Sequence, residues 1–117
     1  MLDNFGHFHL STISVVEIAA GIAKLRRMDQ SARADAYESW LNQTLILFGS
    51  RVLDLGAVIA GEAGAMGDHA MSKGCYPGFA DIAIAATAKV HGLTVLTRNL
   101  KHFTPLDVPC LDPFKLG

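Results

Sequence analysis

Three side chains in this sequence carry hard oxygen donors at places where the chain can bring them together: Glu17, Asp81 and Asn99. Asp81 opens the stretch 80–91 (ADIAIAATAKVH), which has the most regular helical composition in the chain and is followed by Gly92, the residue type that favours a left-handed helix cap. A helix of that length runs about 18 Å at 1.5 Å per residue. The β-rich stretch 93–97 (LTVLT) then returns about 16 Å at 3.3 Å per residue. Out and back nearly cancel, so Arg98 and Asn99 are predicted beside Asp81. Glu17 ends a β-branched run over 10–16 (LSTISVV) and is predicted at the same carboxyl edge of the sheet.

Two carboxylates and an amide form a set that holds Mg²⁺ or Mn²⁺ while leaving positions for water and phosphate. The chemistry of such a set is phosphodiester hydrolysis, in which a metal polarises the phosphoryl oxygen and acidifies an attacking water, with Arg98 or Lys101 meeting the phosphate. Each residue also has an ordinary structural role. An acid in a first helical turn complements the helix dipole, and asparagine after a strand tolerates turn backbone. Only their convergence speaks for a ligand set. His7 and His9 share one strand face but make a weak metal pair, and His69, His91 and His102 have no ligand spacing among them. No Gly-rich phosphate loop and no local context for Ser-His-Asp or Cys-His catalysis is present.

The elements that must position these residues read as one domain over 10–117 behind an irregular leader, 1–9. A strand over 10–16 hands to a helix at Glu17. A second amphipathic helix spans about 32–48, with Ala36, Trp40, Thr44 and Leu47 near one face, and stops at Gly49. A strand at 51–55 precedes a helix over 57–73, whose Gly61, Gly64 and Gly67 imply close packing against a neighbour. After the loop 74–78 come the helix 80–91, the strand 93–97 and a last short strand at 108–111. This order predicts an α/β domain with a mainly parallel sheet and a ligand site at the carboxyl edge of the strands. Ten basic against eleven acidic side chains give a net charge of −1, so any contact with nucleic acid must be local. Two cysteines match neither a disulfide framework nor a zinc site, which points to a reducing, cytoplasmic setting. The longest unbroken apolar run, from Ile82 to Ala86, is far too short to span a membrane.

Two segments carry a resemblance: LSTISVVEI at 10–18, and ADIAIAATA at 80–88 with GLTVLTRN at 92–99. Together they resemble the PIN-domain ribonucleases of the VapC toxin type, encoded in toxin–antitoxin pairs. The resemblance implies a Mg²⁺- or Mn²⁺-dependent endoribonuclease, commonly a homodimer, acting on RNA and neutralised by a small antitoxin. It makes Glu17, Asp81 and Asn99 the metal-holding and catalytic residues, with Thr97 near the metal waters and Arg98 on the substrate. That family opens with a strand bearing Leu-Asp-Thr-Asn, whose Asp is the first metal ligand. Here Leu2-Asp3-Asn4 stands only seven residues before Leu10, too close for a strand and crossover, so that role is not assigned to Asp3. A PIN-like sheet lacking the family's central strand is the resulting expectation. A second chain by strand exchange, the leader, or direct pairing of the flanking strands would close the gap. Cleavage is then expected to be poor. The alternatives are a non-catalytic module that binds an antitoxin or a second copy of itself, and an unrelated α/β binding domain whose polar edge residues are caps.

Overall fold

The computed structural model describes residues 8–112. The leader therefore lies outside the described residues except for Phe8 and His9, and so do His7 and Leu2-Asp3-Asn4. Between Asp54 and Leu55 the chain divides into two compact units. No helix among the described residues is long and apolar enough to cross a membrane.

In the first unit, β1 (Leu10–Ser11) leads directly into α1 (Thr12–Arg27), followed by α2 (Ser31–Phe48), a 3₁₀ turn (Gly49–Arg51) and β2 (Val52–Leu53). β1 pairs in parallel with β2, Leu10 opposite Val52 and Ser11 opposite Leu53. The strand expected over 10–16 is thus mostly helix, and Glu17 sits in the second turn of α1 rather than at its start. The physical cause is Ser11. Its backbone is extended, and its hydroxyl accepts the Ile13 N–H at 3.1 Å. Such a cap is worth about 0.5–2 kcal/mol, against a few tenths for each β-branched residue placed in a helix.

Lys24, Arg26 and Arg27 crowd the last turn of α1, where they complement the carbonyl end of the helix. Arg26 reaches across to α2, bonding Asp35 at 2.9 Å and Glu38 at 3.3 Å. The Asp35 hydrogen bond, more than the charge of either acid, raises the guanidinium above its ordinary pKa. This exposed pair fixes the register of the two helices more than it stabilises them. Ile22, Ala34 and Leu41 form the buried contact between α1 and α2, flanked by Ile18, Leu25 and Leu45. The inward face of α2 therefore runs through Ala34, Leu41 and Leu45, not through Ala36, Trp40 and Leu47, and Trp40 and Leu47 are left exposed. α2 stops at Gly49, whose φ of +53° lies where glycine is favoured. Arg51, next along, donates to the carbonyls of Phe8 at 3.1 Å and Leu47 at 3.2 Å and lies over the Phe48 ring. That clasp ties the entry of β1 to the end of α2.

The second unit contains α3 (Ala57–Ser72), α4 (Phe79–His91), β3 (Val95–Leu96), α5 (Leu100–Phe103), a 3₁₀ turn (Thr104–Leu106) and β4 (Cys110–Leu111). β3 and β4 are parallel, Val95 opposite Cys110 and Leu96 opposite Leu111. All four strands are shorter than the β-rich runs that contain them. Ladder bonds join only two residues of each, and the remainder is turn or unpaired extended chain. α4 ends as expected, with Gly92 left-handed at φ +66° and the Leu93 N–H bonding back to Ala88. Its alanines Ala85, Ala86 and Ala88 pack with Ile59, Ala63, Met66 and Ala70 of α3, over Val95, Phe103, Leu106 and Val108.

The glycine row of α3 does not behave as one unit. A Cβ built on Gly67 would meet the Ile82 side chain at 3.3 Å, whereas Gly61 and Gly64 have open space around them. Only Gly67 serves close packing. Gly61→Ala and Gly64→Ala are each expected to raise stability by up to about 1 kcal/mol, the helix-interior difference between the two residues. Gly67→Ala should gain less, because Ile82 must move. Parallel thermal melts of the three variants check this.

Candidate functional site

Asp81 occupies the first turn of α4. The cap residue there is Gly78, which has no side chain to offer, so the acid is the negative group that complements this helix end. Its carboxylate, 30% exposed, faces α5, with Oδ2 3.5 Å from Nδ1 of His102. Asp81, Lys101 and His102 share an open cavity of about 300 Å³ with Cys75, Tyr76, Pro77, Gly78 and Pro105. One wall of the cavity is acid, imidazole and ammonium; the other is the loop that leads into α4. Lys101 is exposed and has no ion-pair partner among the described residues, unlike Lys73 and Lys89, which bind Asp107 and Glu62.

The turn after β3 does not line this cavity but positions the residues of α5 that do. The Thr97 hydroxyl accepts the Asn99 N–H at 3.0 Å, and the Asn99 carbonyl accepts the His102 N–H at 3.0 Å. Thr97 and Asn99 thus start α5 and set where Lys101 and His102 lie. The Asn99 amide makes no capping bond to that helix. Arg98 lies between them in the same turn. Phe103 and Leu106, buried in the core, hold α5 from behind. His102, for which sequence spacing gave no role, is the residue that meets Asp81. The one signal for it was the same chain arithmetic that returns the turn to α4, continued past Asn99.

Glu17 belongs to the first unit. It is exposed on α1 and borders a cavity of about 290 Å³ whose other walls are Ile18, Gly21, Ile22, Leu25, Tyr37 and Trp40. Around Glu17 that lining is almost wholly apolar. Among the described residues, no three His, Cys, Asp or Glu side chains gather as a metal cage. The one carboxylate that lines the second unit's cavity, Asp81, is of the donor type that Mg²⁺ and Mn²⁺ take. Mg²⁺ in particular is usually held by one or two carboxylates together with substrate phosphate and retained water.

The sequence pattern of the PIN domain matches residues 1–105. This chain belongs to the PIN-domain family. The PIN domain is 33% identical over 106 residues to Toxin FitB of Neisseria gonorrhoeae, an alignment covering 91% of this chain and 75% of that protein. It is therefore a member of the toxin branch, in which the VapC proteins also fall. The crystal structure of FitAcB from Neisseria gonorrhoeae superposes with a TM-score of 0.82 at 34% identity, over 92% of this chain and 76% of that one. FitAB bound to an IR36 DNA fragment gives 0.81 at 32%, over 93% and 75%. VapBC2 from Rickettsia felis, bound to a promoter DNA fragment, shares the PIN fold at a TM-score of 0.72 and 23% identity, over 94% and 80%. The α/β fold expected from the element order is the fold of these relatives.

Proposed function

We propose that this PIN domain is the endoribonuclease of a toxin–antitoxin pair, dependent on Mg²⁺ or Mn²⁺ and working in the cytoplasm, where Cys75 and Cys110 stay free thiols. The observation that carries the reading is the Asp81 cavity: a partly exposed carboxylate, an imidazole and an ammonium without an ion-pair partner among the described residues, around an opening that admits a phosphate. Asp81, with the uncommitted amide of Asn99, would hold the cation. When bound, the metal supplies Lewis acidity toward a phosphoryl oxygen and lowers the pKa of water. Lys101 draws a phosphate to the cavity mouth, and Arg98 and Thr97 stand in the adjoining turn on the side from which RNA would enter. The His102 imidazole, 3.5 Å from the carboxylate, would orient it, as partners of ligating groups commonly do. Glu17 is kept as a catalytic acid through its match to the family motif. A single acid at this cavity implies weak metal affinity, since affinity rises with the charge of the ligand set. Incubating the purified chain with RNA and Mn²⁺, beside an EDTA control and the Asp81 and Glu17 amide variants, tests the assignment. Cleavage that needs both the metal and the acids is the expected result.

A second reading, a partner-binding module, is favoured by the apolar cavity between α1 and α2. Its Trp40 is 51% exposed, and Tyr37 stands beside it. Apolar walls with uncovered rings suit an amphipathic segment of an antitoxin. The solved neighbours with FitA and VapB are toxin–antitoxin complexes, which supports such a partner. Trp40 is the chain's only tryptophan. Adding the small protein encoded with this one is expected to shift its fluorescence to the blue, and Trp40→Ala is expected to weaken binding by about tenfold or more. Homodimerisation, the usual family state, is read in the same samples from mass. Tight binding with no metal-dependent cleavage would leave the module reading alone.

A further inference from the structure

Tyr76 is the most exposed aromatic side chain among the described residues, at 77%, and it nevertheless lines the cavity that contains Asp81, Lys101 and His102. Phe79, three residues on, opens α4 with its own ring 68% exposed. Packing among the described residues leaves both rings largely uncovered. The backbone around Tyr76 is set in advance: a residue before proline is confined to extended conformations, and Pro77 itself has a fixed φ. The backbone that presents the ring at the cavity mouth therefore has little freedom left to lose on contact, which lowers the ordering cost of binding. Beside it stands Lys101, a cation without an ion-pair partner among the described residues. An aromatic face next to a cation, at a cavity near the lower end of the usual ligand-pocket range of about 300–1,000 Å³, matches one nucleotide of a single strand.

We infer that Tyr76 is a stacking platform for an unpaired base, which makes it the residue that restricts the substrate to single-stranded RNA. The inference rests on the endoribonuclease reading above and adds how that site selects its substrate. In an A-form helix each base is covered by its neighbours, so a ring can reach a base face only in a loop, bulge or end. Stacking accepts every base, so Tyr76 selects for exposure of a base and not for its identity. With the base on Tyr76, the adjoining phosphate lies toward Lys101 and the acid end of the cavity.

The test is a binding titration in EDTA, where no cleavage occurs, using RNA that carries a fluorescent aminopurine, as a single strand and annealed to its complement. Wild type is expected to bind the single strand more tightly than the duplex and to quench the aminopurine. Tyr76→Ala should lose about 5- to 150-fold in affinity and the quenching with it. Tyr76→Phe, which keeps the ring, should behave as wild type in both. Thermal melts of the three proteins should coincide, since an exposed ring contributes little to folding. Equal affinity of the alanine variant, or equal binding of single strand and duplex, overturns the inference while leaving the nuclease reading intact. A wild-type chain that binds neither RNA overturns both.

Discussion

Asparagine in place of Asp81 is expected to reduce Mn²⁺-dependent RNA cleavage by more than about a hundredfold. Losing a group that merely supports a metal ligand costs about 10- to 100-fold, and losing the ligand's own charge must cost more. The substitution keeps the side chain's shape and leaves His102 a partner, so the melting temperature without metal should change by only a few degrees. The exposed carboxylate–imidazole pair is worth about 0–1 kcal/mol at most. With metal the two proteins should separate. A ligand present at a hundred times its dissociation constant stabilises by about 2.7 kcal/mol, and only wild type should show that rise. A variant that cleaves RNA as well as wild type would remove Asp81 from the metal site and send the search elsewhere on the domain.

The largest loss of stability is expected from Phe103→Ala. Phe103 is 4% exposed and packs in the core shared by α3, α4 and β3. Truncating a buried phenylalanine costs about 3–5 kcal/mol through lost transfer energy and the cavity left behind. That is a large share of the roughly 5–15 kcal/mol that holds a domain of this kind together. α5 is a single turn, too short to be helical unless it is held. The ring is therefore also what keeps Lys101 and His102 at the cavity. Circular-dichroism melts should fall by roughly ten degrees or more. Hydrogen exchange should show α5 losing protection while α1 and α2 keep theirs. A melt within a few degrees of wild type would mean that α5 is anchored by something else.

The start of α1, which sequence pattern places too late, and the end of α4, which it places correctly, differ in where their signal lies. α4 announces itself because small apolar residues recur with helical spacing and Gly92 closes it, all within the segment. α1 does not, because Thr12 to Val16 is a β-branched run and the deciding contact is one hydroxyl, that of Ser11, before it. The strands were overextended for a related reason. Composition reports which residues tolerate extended backbone, but pairing depends on a partner far along the chain. On α2 the packed face is Ala34, Leu41 and Leu45, and Trp40 is left exposed. A local rule broken without a structural reason is often the mark of a site. At the cavity, chain length alone brings the turn after β3 back to the start of α4. It does not say which side chain of that turn meets Asp81, because α5 has no periodicity to reveal how His102 projects. Tyr76 was hidden in the same way, inside a Tyr-Pro-Gly stretch that reads only as a loop.

The Arg51 clasp on Phe8 also has a consequence in time. The two residues are 43 positions apart, whereas the contacts joining α1 to α2 are mostly nearer neighbours. On a ribosome adding about 5–20 residues per second, Phe8 waits on the order of 2–9 s for Arg51 to be made. A single helix needs far less than that to form. α1 can therefore form while β1 is still a strand without its neighbour, whereas α2 is complete only at Phe48, just ahead of Arg51 and β2.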